Sequence, residues 1–323
     1  MSNSYKPEGF LIHTAENTEY ISSLLGLERA MMCGKILEAN AILCDEHSRL
    51  HVDLHGIRGF IERDECVYSQ GNEPIKDIAI ITRVGKPVCF KVISIRHDEL
   101  GPYAVLSRRE AQRECTHCYL SDLIAGDIIE SRVTHLESFG AFVDIGCGIS
   151  SLLSIDCISV SRISHPKSRL SVGMNLHTVV KSIDHLSGRI FVSLKELLGT
   201  WEENANNFRA GSTVAGVIRS VESYGVFVEL APNLAGLAEL RDNGGAAVIT
   251  PDSIGCRAAV YIKSIIPERM KIKLVLIDCS GERAPLSTLK YYVNTQRVRH
   301  IDRWLYSPEC CEKVTESIFE VGR

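Results

Sequence analysis

The 323-residue chain has little of what marks several common protein classes. Proline is scarce at 10 residues, beside 24 glycines and 45% hydrophobic residues, which excludes collagen-like and broadly disordered chains. No apolar run approaches the ~20 residues that a membrane-spanning helix needs. The opening MSNSYKPEGF has no hydrophobic core of a signal peptide, so a cytoplasmic chain without membrane contact is expected. Charge of one sign is missing too. The 36 Lys and Arg against 40 Asp and Glu leave a net −4, which argues against a generally basic nucleic-acid binder and leaves room for a local patch.

Catalytic signatures are absent as well. Paired carboxylates at metal spacing, a nucleophile elbow, a P-loop, GxGxxG, HxH and HExxH do not occur, so neither an enzyme nor a cofactor is expected. Asp184-His185 falls on a predicted turn and reads as turn chemistry rather than a dyad. The twelve cysteines are scattered. Cys115 and Cys118 have knuckle spacing, yet no second pair lies near to complete four ligands, so free thiols and no metal site are expected.

What is present is a repeat. Residues 126–145 (GDIIESRVTHLESFGAFVDI) align with 211–230 (GSTVAGVIRSVESYGVFVEL) at a constant offset of 85. Past a loop the offset becomes 82: Gly173 meets Gly255, and Lys181-Ser182-Ile183 meets Lys263-Ser264-Ile265. Each copy alternates apolar and polar residues through five short segments with glycines at the bends, the pattern of a small closed β-barrel. Gly140 and Gly225 are placed where a strand coils sharply. A weaker copy lies upstream, where Gly85 to Ile95 matches Gly173 to Ile183 and Ala104 to Arg109 matches the fifth strand.

The expected fold class is therefore mainly β: three tandem five-stranded OB-fold barrels over 34–112, 125–198 and 211–278. Linkers at 113–124 and 199–210 join them, the second helical with a capping box at Thr200 and Glu203. Helical extensions are expected at both ends: over 1–33, with a helix from Asn17 to Cys33 stopped by Gly34, and over 279–323, with a helix from Ser307-Pro308 to about Phe319.

Such barrels expose strands 2 and 3 to single-stranded nucleic acid, given aromatic rings for the bases and cations for the phosphates. Phe139 and Phe142, and Tyr224 and Phe227, lie 13 and 16 residues past the opening glycine of their copies. Val143 and Val228 already fill the inward positions, which favours rings on the surface over rings in the core. Candidate cations are Arg132, Lys181 and Arg189 in the second barrel and Arg219, Lys263 and Lys271 in the third, with the loop from Ser161 to Arg169 as a further basic segment. Ser48 and His51 take the ring positions in the first barrel, which reads as a degenerate docking or packing module without a stacking platform.

Phe139-Gly140-Ala141-Phe142-Val143-Asp144, with Gly126-Asp127, Gly173 and Arg189-Ile190 to Lys195, resembles the S-one RNA-binding domain, an OB-fold family. The three-repeat arrangement is similar to ribosomal-protein-S-one-like proteins of the Gram-positive type. The resemblance implies binding of single-stranded RNA or mRNA in translation, with the 30S ribosomal subunit as partner. It implies RNA contacts at Phe139, Phe142, Asp184 and Arg189, and at Tyr224, Phe227 and Lys271. The family histidine is replaced by Ser154 and Glu239, and Asp184 has Ile266 as its counterpart. Glu239 would repel phosphate, which implies weaker or more selective binding by the third barrel. The competing reading is a scaffold in RNA processing or transcription, holding protein partners through the first barrel and the terminal helices.

Overall fold

The computed structural model describes residues 5–69, 75–239, 250–286 and 288–319. The first four residues of the opening segment read above lie outside the described residues. Fifteen of the described strands close three five-stranded barrels. The first barrel contains β1 (Ile36–Cys44), β2 (Leu50–Leu54), β3 (Ile57–Ile61), β4 (Pro87–Asp98) and β5 (Gly101–Ser107). The second contains β6 (Ile128–Glu137), β7 (Gly140–Asp144), β8 (Ser150–Ser154), β9 (Asn175–Asp184) and β10 (Arg189–Ser193). The third contains β11 (Thr213–Glu222), β12 (Gly225–Ala231), β13 (Leu234–Glu239), β14 (Cys256–Ile266) and β15 (Lys271–Arg283), so its last strand runs past the expected end at 278. Around each wall the order is first, second, third, fifth, fourth. The third and fifth strands pair in parallel in all three barrels.

Closure makes the period-2 pattern decisive, because alternate side chains enter the barrel and the rest face outward. In β2, Leu50, Val52 and Leu54 are buried. In β13, Leu234, Gly236 and Ala238 are buried while Glu239 is exposed. Gly140 and Gly225 stand where neighbouring strands approach too closely for a side chain: a Cβ there would lie 2.5 Å from the Leu153 carbonyl oxygen and 2.7 Å from that of Ala238.

The chain divides into two compact units: residues 1–123 with 130–132 and 144–150, and residues 124–129, 133–143 and 151–323. The expected helix from Asn17 to Cys33 is two helices, α1 (Ala15–Ile21) and α2 (Leu24–Met32). Ser23 is extended between them and its hydroxyl accepts from the Gly26 amide at 3.0 Å, so a second N-cap interrupts the turn sequence. A short helix, α3 (Asp77–Ile81), precedes β4, and α4 (Arg108–Cys118) follows β5 directly. Cys115 of α4 is buried and Cys118 is exposed.

A buried ionic network ties the N-terminal segment into the first unit. Arg108, 1% exposed, donates to both Glu8 carboxylate oxygens at 2.7 and 3.1 Å, and the Glu8 amide donates to Asp144 at 2.7 Å. Burial pushes Glu8 up, but Arg108 and Arg83 outweigh it and hold the carboxyl below its usual value. Glu38 is raised to about 7 by burial, against three backbone amides that donate to it. Asp144 is raised to about 7 by burial and by the neighbouring Glu8 charge.

In the second unit α5 (Ile155–Ile158) follows β8, and α6 (Trp201–Ala205) bridges the second and third barrels with the expected capping box. The loop after α5 docks on the third barrel. Arg169 donates to Glu229 at 2.9 and 2.8 Å, and Arg219 donates to the same carboxylate at 2.8 and 3.1 Å. Burial raises the Glu229 carboxyl, but the two guanidiniums win and hold it low. Asn233 accepts from the Val160 amide and donates to the Lys195 and Gly199 carbonyls.

The expected C-terminal helix does not form. Residues 303–319 make a two-stranded hairpin of β16 (Arg303–Leu305) and β17 (Glu316–Ile318). The Ser307 hydroxyl accepts from the Thr315 amide at 3.0 Å, closing the hairpin instead of capping a helix. Trp304 and Tyr306 are buried in the core of the third barrel, and the Tyr306 hydroxyl donates to the Asn233 carbonyl at 2.7 Å. Burial of two large rings at alternate positions outweighs a local cap signal. Upstream, the tail adds to the second barrel: the Ile128 amide donates to Arg299 and the Ile301 amide to Gly126.

Two stability tests follow from these networks. Native Glu38 and Asp144 hold protons that unfolded carboxyls release near pH 4, so the first unit's stability falls as pH rises from about 4 through about 7. The Glu8 contribution works oppositely but is lost only below the unfolded carboxyl range. Urea unfolding at about pH 5 and about pH 8 should show the lower midpoint at the higher pH, and an equal or higher one would contradict the assignment. Glu229→Gln leaves two largely buried guanidiniums against a neutral amide and should destabilise the second unit by about 3–5 kcal/mol in denaturant titration.

Candidate nucleic-acid interface

The outward positions of β7, β8 and β10 form one face of the second barrel. Phe139 sits just before β7, its carbonyl accepting from the Ile155 amide at 2.9 Å. Phe142 follows on β7. An odd spacing puts residues on opposite sides of a regular strand, but Phe139 precedes the strand at the Gly140 approach, and the rings meet edge to face with centroids 6.1 Å apart at 88°. Tyr224 and Phe227 repeat the arrangement in the third barrel at 6.3 Å and 89°. Phe139 is 53% exposed and Tyr224 60%, while Phe142 and Phe227 are half-buried beneath them. The inward positions belong to Val143 and Val228, both fully buried.

The candidate cations separate into two groups. Arg189 opens β10 and is exposed, as are Lys263 and Lys271 in the third barrel. Arg189 pairs across the ladder with Asp184, and Lys271 with Ile266. The others differ in placement. Arg219 is locked on Glu229, and so is Arg169 of the basic loop, which is 3% exposed and therefore not available to a phosphate backbone. Arg132 is grouped with the first unit, where its guanidinium lies against Gly9, rather than with the ring pair. Lys181 donates to the Cys157 sulfur at 3.0 Å, which raises its pKa, and it lies 4.0 Å from Asp156.

Asp184 serves its own turn. It accepts from the Leu186 amide at 3.0 Å and from the Ser187 hydroxyl, and the hydroxyl bond is the largest cause of its lowered pKa. Glu239 pairs with Gly225 across β12 and β13, which places an exposed carboxylate beside the ring position of the third barrel. Among the described residues no cluster of His, Cys, Asp or Glu is arranged to hold a metal ion.

Two members of the faces escape the repeat alignment. Phe191, two residues beyond Arg189, pairs in parallel with Leu152 and adds a third half-buried ring to the second barrel's face. Lys273 stands at the equivalent place, opposite Leu237, and is exposed. The available signal was alternation along the fifth strand, which sets residues 189 and 191 on one side. In the first barrel the strand-2 positions hold Ser48 and His51, as expected. The reading of this barrel as without a stacking platform rests on those two positions, whereas Phe60 on β3 and Tyr103 on β5 are stacked at 5.5 Å and 22°. Their pairing depends on neighbouring strands distant in sequence.

Residues 122–195 match the family model described as the S1 RNA binding domain. The chain is similar to small ribosomal subunit protein bS1 of Leuconostoc lactis, 28% identical over 244 residues, covering 72% of this chain and 55% of that protein. It is similar to the bS1 protein of Staphylococcus aureus (strain COL), 30% identical over 206 residues, covering 61% of this chain and 50% of that protein. The chain thus spans about half the length of these curated relatives. A multidomain protein with nucleic acid binding domains from Streptococcus pneumoniae aligns at 14% identity over 76% of this chain and 73% of that one, with a TM-score of 0.24, too low to bear on architecture.

Because Phe139 is exposed, Phe139→Ala should change unfolding stability by no more than about 0.5 kcal/mol, whereas Leu153→Ala, fully buried, should cost about 2–5 kcal/mol. A comparable loss in both variants by thermal denaturation would mean that the Phe139 ring is structural.

Proposed function

We propose that this chain binds single-stranded RNA without catalysing a reaction, using the ring pairs of the second and third barrels as linked stacking surfaces. The observation that carries the reading is the repeated pair itself. Two independent barrels place two aromatics at the same spacing and nearly the same angle, with the outer ring of each exposed to water. A surface ring is uneconomical for folding, yet it is suited to an unstacked base, each of which contributes about 1–3 kcal/mol. Phe142, Phe191 and Arg189 would extend the second site, and Phe227, Lys263 and Lys271 the third. Asp184 would shape the turn beside Arg189. With Arg219 locked on Glu229 and Lys181 donating to Cys157, phosphate neutralisation rests chiefly on Arg189, Lys263 and Lys271, so affinity comes largely from rings and from two weak sites acting on one strand.

The S1 match and the bS1 relatives support a setting in translation, with the small (30S) ribosomal subunit as the larger partner and messenger RNA as the ligand, hence a cytoplasmic site of action. No helix among the described residues is long and apolar enough to cross a membrane. In this reading the modules are the barrels at 34–112, 125–198 and 211–283, joined by the linkers at 113–124 and 199–210. A scaffold role through the terminal helices is less supported, because the C-terminal segment is consumed in packing Trp304 and Tyr306 against the third barrel.

Fluorescence anisotropy with a short single-stranded RNA tests the reading. Phe139→Ala with Phe142→Ala should weaken binding about 10- to 100-fold, and Tyr224→Ala with Phe227→Ala less, since Glu239 disfavours phosphate there. Binding should weaken with added salt. Co-sedimentation with small ribosomal subunits, lost in the first double variant, would support the translation setting. Unchanged RNA affinity in both double variants would overturn the stacking mechanism.

A further inference from the structure

We infer that the first barrel carries a third nucleobase-binding site, built on strands 3 and 5 instead of strand 2. The inference rests on the single-stranded RNA reading of the other two barrels. It begins from register. Phe60 pairs in parallel with Val105, as Leu152 pairs with Phe191 and Leu237 with Lys273. Tyr103 pairs with Arg96, as Arg189 pairs with Asp184 and Lys271 with Ile266. Tyr103 therefore stands where the second and third barrels carry Arg189 and Lys271, and Phe60 stands where they carry leucine. His51, opposite Phe60, holds the Phe142 position.

The rings are not core. Gly59, Ile61, Ala104 and Leu106 take the buried positions of β3 and β5, and Phe60 and Tyr103 alternate with them at half-buried outward positions. The first barrel thus has Ser48 and His51 at the strand-2 ring positions and two rings at outward positions of β3 and β5.

The surroundings define the ligand. The Arg49 guanidinium lies 5.2 Å from the Phe60 centroid, and that of Arg58 5.4 Å from the Tyr103 centroid. Both are already matched by acids: Arg49 donates to Asp45 at 2.8 Å, and Arg58 to Asp98 at 2.9 Å. Asp53, exposed, pairs with Arg58 across the ladder. The cluster is therefore not a phosphate site. It is a cluster of flat groups, two stacked rings with a guanidinium close to each, and single-stranded bases stack on either kind of surface. Binding here should depend on base stacking, with a shallower salt dependence than at the second barrel.

Photocrosslinking of the full chain to a short single-stranded RNA containing 4-thiouridine, mapped by mass spectrometry, tests the site together with anisotropy. Adducts are expected on the peptides holding Phe60 or Tyr103. A variant lacking the four rings of the other barrels (F139A, F142A, Y224A and F227A) should retain weak, salt-tolerant binding, which F60A with Y103A lowers about fivefold or more. Phe60→Tyr with Tyr103→Phe in the same background should keep it if stacking, rather than folding, is responsible. Wild-type binding with adducts confined to the second and third barrels, and no residual affinity in the four-ring variant, would overturn this site and leave the other two standing. Absence of any RNA binding by the wild-type chain would overturn the reading on which the site rests.

Discussion

A five-stranded sheet closed into a barrel can hide only every second side chain. That constraint underlies the whole structure. Once Val143, Leu153 and Val192 fill the second barrel, the residues between them have nowhere to go but outward. Phe142, Leu152 and Phe191 then form a face without any further instruction. The third barrel repeats the arithmetic with Val226, Val228 and Ala238 inside. A ring placed on an odd position of such a wall is on the surface whether or not a ligand is present. The glycine before it settles how close the next strand comes: Gly140 and Gly225 let neighbouring carbonyls approach to distances that no Cβ permits.

The second organising force is electrostatic, and it works against the first impression of a basic surface. Arginines that look like phosphate ligands in the sequence are spent inside. Arg169 and Arg219 converge on Glu229 at the junction of the second and third barrels, and Arg108 on Glu8 within the first unit. Each pair is bidentate and largely desolvated, which makes it costly to break and fixes geometry more than it adds net stability. Of the cations singled out beside the ring pairs, Arg189, Lys263 and Lys271 remain exposed and form no salt bridge among the described residues. A net charge of −4 leaves the chain without a general positive field.

The tail shows how burial overrules local signals. Ser307-Pro308 is a sound helix start, and a peptide of that sequence would have little reason to prefer a hairpin. Next to the third barrel, Trp304 and Tyr306 gain an apolar wall and a carbonyl partner, and Arg303 meets Glu316 across the turn. The same competition splits the N-terminal helix at Ser23, where a second cap and the close packing of Gly26 win over continuity.

The repeat, the strand count, the linker capping box and the two ring pairs were legible in the amino-acid order, because strand period and turn chemistry are local properties. Alternation at Val143 and Val228 even indicated which way Phe142 and Phe227 face. Which cations stay available was not legible: Arg169 and Arg219 read the same as Arg189 until their shared carboxylate, Glu229, is placed between them. Nor was the Phe60–Tyr103 stack, whose residues are 43 positions apart and meet only because the third and fifth strands pair in parallel. Sequence determined the modules and their faces. Only the tertiary structure decided which charges those faces keep, because Glu229 takes Arg169 from 60 residues away and takes Arg219 once β11 and β12 pair.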